Sequence, residues 1–321
     1  MVHLLHMSNQ IVFLEVDKED EARIQAEHPS AVMHAEVLEG QELIDACKGA
    51  EVVSCFIYTK FTKEVLGQLP KLKLLCTRSV GVNHIDLPAC KKGGITVCNV
   101  PDYGSHVVAE HVFALLLSTL RHIPEGDERV ESGEFDYRGL RGMALKGKTI
   151  GIVGTGKIGA VAVRIAHGFG MHILALDPHP QNDLAQMYGV RYVEKNELFA
   201  DSDIITLHVP ALKETHHMLN AEAFNSMRDG VVIVNTARGE LIDSDALLEA
   251  LKSNKVSYAL LDVIEHERNF EENKELIEHP NAITTPHIAF YADDSTKSMY
   301  EDCFTSIEQW EQGEDPEHVV K

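Results

Sequence analysis

The run Gly154-Thr155-Gly156-Lys157-Ile158-Gly159 follows an apolar stretch, Thr149-Ile150-Gly151-Ile152-Val153, and opens a segment with helical apolar spacing. A strand that turns at once into a helix uses each glycine differently. The first serves the tight turn, the second lets a pyrophosphate approach backbone N–H groups, and the third lets helix pack against strand. The next apolar strand, His172-Ile173-Leu174-Ala175-Leu176, ends on Asp177. That carboxylate stands about 20 residues past the glycines, where it accepts from ribose hydroxyls and repels a 2′-phosphate. The pattern predicts a Rossmann unit that binds NAD in preference to NADP.

Short β-like runs alternate with helical patterns along almost the whole chain, which is the signature of parallel sheets covered by helices. A first block carries expected strands at 11–16, 31–37, 52–57, 72–77 and 96–100, without a Gly-x-Gly turn, and reads as a flavodoxin-like sheet. An amphipathic helix at 105–122, with Val108, His111, Val112, Leu115 and Leu116 on one face, and a polar stretch at 124–141 lead into the dinucleotide block. Its expected strands lie at 149–153, 172–176, 204–208, 231–235, 259–262 and 282–284, before a last helix at 294–310. The expected fold is α/β, with two doubly wound parallel-sheet domains and a cleft between them. Residues 1–104 plus 295–321 form one domain and 105–294 the other.

With 321 residues, 44% hydrophobic and 25% charged, the chain can bury two cores, and no apolar run approaches the roughly 18 residues of a membrane span. Met1-Val2-His3-Leu4-Leu5-His6-Met7 lacks the basic start and longer apolar run of a signal peptide, so a cytoplasmic address is expected. The six cysteines show no C-x-x-C spacing and read as buried, reduced thiols. A net charge of −21 disfavours nucleic acid and anionic membranes as partners. No metal is expected: the two histidines of H-V-V-A-E-H (106–111) stand five apart, and the adjacent His216 and His217 should point apart on any regular element.

Three strands of the second block run into residues suited to redox chemistry on a small anion, at the strand ends where open α/β sheets place ligands. Arg238 follows 231–235, and its planar fork suits a carboxylate, although a surface arginine near a helix start is the plain reading. Asp262, Glu265 and Glu267 follow 259–261, where a solvated acidic loop is the alternative. His287, after Thr285-Pro286, is either a satisfied core histidine or a general acid/base, since an ordinary imidazole titrates near pH 6.5.

Taken in order, the strings Gly154 to Gly159 with Asp177, Leu207-His208-Val209-Pro210 with Thr215, Asn235 to Gly239, Leu261-Asp262-Val263 with Glu267, and Thr285-Pro286-His287 resemble those of the D-isomer-specific 2-hydroxyacid dehydrogenases. The resemblance runs from about Val52 to Trp310. It implies that His287 exchanges the proton, Glu267 is its carboxylate partner and Arg238 anchors the substrate. Cofactor contacts are implied for Gly154, Gly156, Lys157, Ile158, Gly159, Asp177, Val209, Pro210, Thr215, Thr236, Ala237 and Asp262. The first domain is implied to carry the substrate loop, and 105–294 to bind NAD and form a homodimer. Arg78-Ser79-Val80-Gly81-Val82-Asn83-His84-Ile85-Asp86 and Ala289-Phe290-Tyr291 resemble the D-lactate dehydrogenase branch. Substrate contacts are implied there for Tyr58, Val80, Gly81, Tyr103, Phe290 and Tyr291. The segment Val263-Ile264-Glu265-His266-Glu267-Arg268 departs from the usual pattern, lacking an aromatic residue before the first Glu, and leaves Glu265 as a rival to Glu267.

The expected reaction is the reversible reduction of a small 2-oxo acid, pyruvate first, to the D-2-hydroxy acid. Glyoxylate, hydroxypyruvate or branched 2-oxo acid reduction uses the same three residues, and an NAD-sensing interaction protein built on the same scaffold is the reading from another class.

Overall fold

The computed structural model describes residues 10–320, and the N-terminal run Met1 to Met7 lies outside them. They divide into two compact units, one spanning Gly104–Tyr291 and the other built from 10–103 and 292–320. Each is organised around a parallel sheet whose strands are apolar because helices cover both faces.

The first unit contains β1 (Ile11–Phe13), β2 (Val32–Met33), β3 (Val52–Cys55), β4 (Leu74–Thr77) and β5 (Thr96–Cys98). Their order, β2-β1-β3-β4-β5, is that of a flavodoxin-like sheet. One face packs on Leu43, Ile44, Val65, Leu66 and Cys90, the other on Met299, Tyr300, Cys303 and Ile307 of the last helix, Asp293–Glu311.

The second unit contains β6 (Thr149–Val153), β7 (His172–Leu176), β8 (Arg191–Tyr192), β9 (Ile204–Leu207), β10 (Val231–Asn235), β11 (Val256–Leu261) and β12 (Ala282–Thr284). The order β12-β11-β10-β9-β6-β7-β8 reverses direction at the β6/β9 neighbours, which is the switch point where doubly wound sheets place a dinucleotide. The helices Ser105–Leu120 and Lys157–Gly168 pack on one face, and Leu198, Phe199, Phe224, Leu247 and Leu251 fill the other. The alternation of strand and helix patterns therefore predicted the fold class correctly.

Three local differences have physical causes. The strand expected at 11–16 stops at Phe13 because Glu15 adopts φ +55, a left-handed conformation that ends a strand. Only Val32–Met33 of 31–37 pairs, and the two-residue β8 is too short to show a period. The polar stretch after residue 122 begins with a helix, Ile123–Glu131, started by Pro124 in its first turn after a left-handed His122 (φ +51). No helix of the described residues is long and apolar enough to cross a membrane. All six cysteines are buried and unpaired.

Candidate active site

The glycine turn has the geometry its spacing calls for. Gly154 adopts φ +91, and a Cβ there would lie 2.8 Å from the His208 carbonyl oxygen. At Gly159 a Cβ would fall 2.0 Å from the Gly154 oxygen, so only glycine lets the helix Lys157–Gly168 start this close to β6. Gly156 faces open space and caps that helix without a side-chain bond, so the N–H groups of its first turn point outward for an anion. Asp177, just past β7, accepts from the Thr155 N–H at 2.6 Å, the Thr155 hydroxyl at 3.0 Å and the His179 N–H at 2.8 Å. Burial pushes its carboxyl up, but these bonds win and hold it below the usual range. It therefore carries a negative charge, which suits a ribose diol and disfavours a 2′-phosphate.

The neighbouring strands β10, β11 and β12 deliver the polar residues to the same carboxyl edge. After β10, the buried Asn235 clamps the turn: its amide donates to the Arg238 carbonyl at 2.8 Å and its oxygen accepts from the Ala237 N–H at 3.0 Å. Arg238 is half-buried on that turn. Gly239 presses on the loop after β11, where a Cβ would meet the Ile264 backbone at 2.1 Å. The Thr236 hydroxyl is buried with no hydrogen-bond partner among the described residues, an orphan that a bound polar group would satisfy.

His287, past β12, holds φ +54, unusual for a residue with a Cβ. Its N–H is shared between the carbonyls of Asp262 (3.0 Å) and Thr285 (2.9 Å). The Asp262 carboxylate, only 2% exposed, accepts from the Thr285 hydroxyl and from the N–H groups of Ile288 and Ala289, both at 2.9 Å. This ring of bonds offsets the backbone strain and aims the imidazole. His287 Nδ1 lies 3.1 Å from Glu267 Oε2. This contact fixes which ring nitrogen faces the carboxylate.

The rival carboxylate is engaged elsewhere. Glu265 Oε1 stands 2.7 Å from His217 Nε2, and Oε2 accepts from the Ser244 N–H at 3.2 Å. Burial raises its carboxyl, but His217 and Ser244 outweigh burial and keep it below the usual range. His216 and His217 do not sit on a regular element, where they would point apart. They lie in a turn, His217 at φ +48, and their rings stack with centroids 4.0 Å apart.

Around the turn after β9, Val209 packs beside Gly154, and the Thr215 hydroxyl is spent within its own loop, donating to the Pro210 carbonyl at 2.6 Å. Phe290 and Tyr291 follow His287 with their rings edge to face at 5.7 Å. One neighbour escaped the sequence reading: His111 Nε2 lies 3.2 Å from the Thr285 hydroxyl and 3.6 Å from Asp262, across more than 150 residues of sequence. Only the reading of its helix as amphipathic pointed that way.

The first unit holds the remaining candidates. Glu15, in its left-handed conformation, accepts from the N–H groups of Phe56 (2.9 Å) and Tyr58 (2.8 Å) and so fixes the loop that carries Tyr58. The fully buried Arg78 donates to the Leu14 and Glu15 carbonyls at 2.7 and 2.8 Å, anchoring the start of the segment with Val80 and Gly81. Val80 is half exposed, Gly81 accepts from the Ser79 hydroxyl at 2.7 Å, and Tyr103 packs against the core beside the last helix. Glu15 carried no motif and was missed.

Comparison with known proteins decides the family. Residues 113–289 match the family model described as "D-isomer specific 2-hydroxyacid dehydrogenase, NAD binding domain". The chain belongs to the D-isomer specific 2-hydroxyacid dehydrogenase family. It is similar to a D-lactate dehydrogenase of Escherichia coli, 38% identical over 83% of this chain and 85% of that one. It is also similar to an aromatic 2-oxoacid reductase of Clostridium sporogenes, 36% identical over 85% and 86%. The crystal structure of a D-lactate dehydrogenase from Aquifex aeolicus, complexed with NAD and lactic acid, superimposes with a TM-score of 0.86 and 36% identity, covering 95% of this chain and 96% of that one. As a 2-hydroxyacid dehydrogenase of the D-lactate dehydrogenase-like branch, the protein is an NAD-dependent oxidoreductase acting on a CH–OH group. The outward N–H groups at Gly156, the ionised Asp177 and the orphaned Thr236 hydroxyl fit that cofactor.

Proposed function

We propose that the protein reduces pyruvate to D-lactate, with His287 as acid and base, Glu267 as its partner and Arg238 as substrate anchor. The observation that carries this reading is the 3.1 Å contact between His287 Nδ1 and Glu267 Oε2, on a turn that the Asp262 carboxylate locks. Arg238 binds the substrate carboxylate through two parallel N–H donors and holds the carbonyl in one orientation. NADH, when bound, supplies the hydride to the carbonyl carbon. Protonated His287 gives its Nε2 proton to the carbonyl oxygen, and Glu267 stabilises the imidazolium before transfer and fixes the tautomer after it. In the oxidising direction neutral His287 takes the hydroxyl proton back. One fixed guanidinium in a water-poor site outweighs the screened field of surface carboxylates, which reconciles an anionic substrate with a net charge of −21.

Cofactor contacts are assigned to Gly154, Gly156, Lys157, Ile158, Gly159, Asp177, Val209, Pro210, Thr215, Thr236, Ala237 and Asp262, and side-chain discrimination to Phe290 and Tyr291. The first unit's share, from Tyr58, Val80, Gly81 and Tyr103, rests on the sequence resemblance. A screen of NADH oxidation over pyruvate, glyoxylate, hydroxypyruvate, 2-oxobutyrate and phenylpyruvate tests the substrate. Pyruvate should give the highest kcat/KM. Phenylpyruvate ranking first would move the protein toward the aromatic 2-oxoacid reductases, and no turnover with any of the five would overturn the enzyme reading.

The protein works as a homodimer in the cytoplasm. Ile123, Val130, Phe135 and Tyr137 are exposed by 59%, 49%, 92% and 83%, an apolar series that a second copy would cover. Sedimentation should give about twice the chain mass, and Phe135→Ser with Tyr137→Ser should shift it toward monomer. A monomeric wild type would refute the assignment.

A further inference from the structure

We propose that His216, His217 and Glu265 form a binding site for one late first-row divalent cation, of the Zn²⁺ or Ni²⁺ type. One ligand atom from each residue lies within 4.8 Å of the other two, and His217 Nε2 is already 2.7 Å from Glu265 Oε1. Ligand atoms on a tetrahedral zinc with bonds of about 2.0–2.1 Å stand roughly 3.4 Å apart, so small side-chain rotations close the set. Two imidazole nitrogens and one carboxylate oxygen suit Zn²⁺, Ni²⁺ or Cu²⁺ and not Mg²⁺ or Ca²⁺, which prefer oxygen throughout.

Adjacent histidines normally diverge, and here the backbone prevents it. His217 is held at φ +48 by bonds that fix both residues: the His216 N–H donates to the Leu212 carbonyl and the His217 N–H to the Glu240 carbonyl, each at 2.8 Å. The two rings therefore stack on one side of the turn. Glu265 is fixed in turn by the Ser244 N–H, and Asp243 Oδ2, 4.0 Å from His217 Nδ1, is placed to orient that ring from behind. A His217–Glu265 ion pair alone would need none of this from His216, which is exposed and makes its ring contact by stacking on His217. Glu265 stands two residues before Glu267, so an occupied site would tether the loop that carries the partner of His287.

Calorimetric titration of the intact, metal-stripped protein with ZnCl₂, NiCl₂ and MgCl₂ tests the site without turnover, so its outcome is independent of the dehydrogenase reading. The chain has 18 histidines, and the variants separate this site from the rest. Zn²⁺ or Ni²⁺ should fill one saturable site per chain that MgCl₂ does not. His216→Asn, at an exposed position, should weaken it at least tenfold, and Glu265→Gln should do the same. His172→Asn, an exposed histidine at the start of β7, should leave it unchanged. Wild-type affinity in His216→Asn, equal loss in His172→Asn, or no saturable Zn²⁺ or Ni²⁺ site at all would overturn the proposal.

Discussion

At the scale of residues, two carboxylates two positions apart do different work. In sequence the family resemblance favours Glu267 and leaves Glu265 as a rival, because both follow β11 in one acidic loop. The fold separates them through partners contributed by distant segments, His217 for one and His287 for the other. The positions of His287, Arg238 and Asp177 just past strand ends were legible because each follows an apolar run, whereas Glu15 and His111 make contacts that no local pattern encodes. The assignment makes a graded prediction. His287→Ala should lose about 10²–10⁴-fold in kcat, the usual contribution of a positioned acid/base, while NADH binding measured by fluorescence is retained. Glu267→Gln should lower kcat more than Glu265→Gln does, and equal losses would remove the special status of Glu267.

At the level of elements, four strands of the second unit were legible to the residue. β6, β7, β10 and β12 begin and end where the sequence places them. Backbone conformation, not hydrophobicity, sets the boundary at Glu15 beyond β1 and at His122 before the helix Ile123–Glu131, whereas β11 starts at Val256, three residues before the expected 259. The element that matters most to function is the β6 turn with its helix. Gly159→Ala would put a Cβ against the Gly154 backbone, which cannot rotate away as a side chain could. The helix start must shift, at a cost on the order of 1–3 kcal/mol. Denaturant unfolding should report that loss and NADH titration a weaker complex, because the N–H groups at Gly156 move with the helix. Unchanged stability together with unchanged NADH affinity would show that the turn has slack it is not expected to have.

For the whole molecule, pH tests how the second unit is held together. His208, at the end of β9, lies against the glycine turn, and burial pushes its imidazole down to about 4. In the unfolded chain the ring titrates near 6.5, so the unfolded state takes up the proton first. Stability from this group is therefore complete above about pH 6.5 and is lost as pH falls toward 4. An edge of the residue still meets solvent, which limits the loss to on the order of 2 kcal/mol. Denaturant midpoints at pH 7.5 and pH 5 should show a smaller acid loss in His208→Asn than in wild type, and equal losses would contradict the assignment. The enantiomer formed from pyruvate and NADH reports what the assembled machinery makes. Chiral chromatography should find D-lactate in amounts equal to the NADH consumed, whereas L-lactate, a racemate, or NADH left unconsumed would contradict the account.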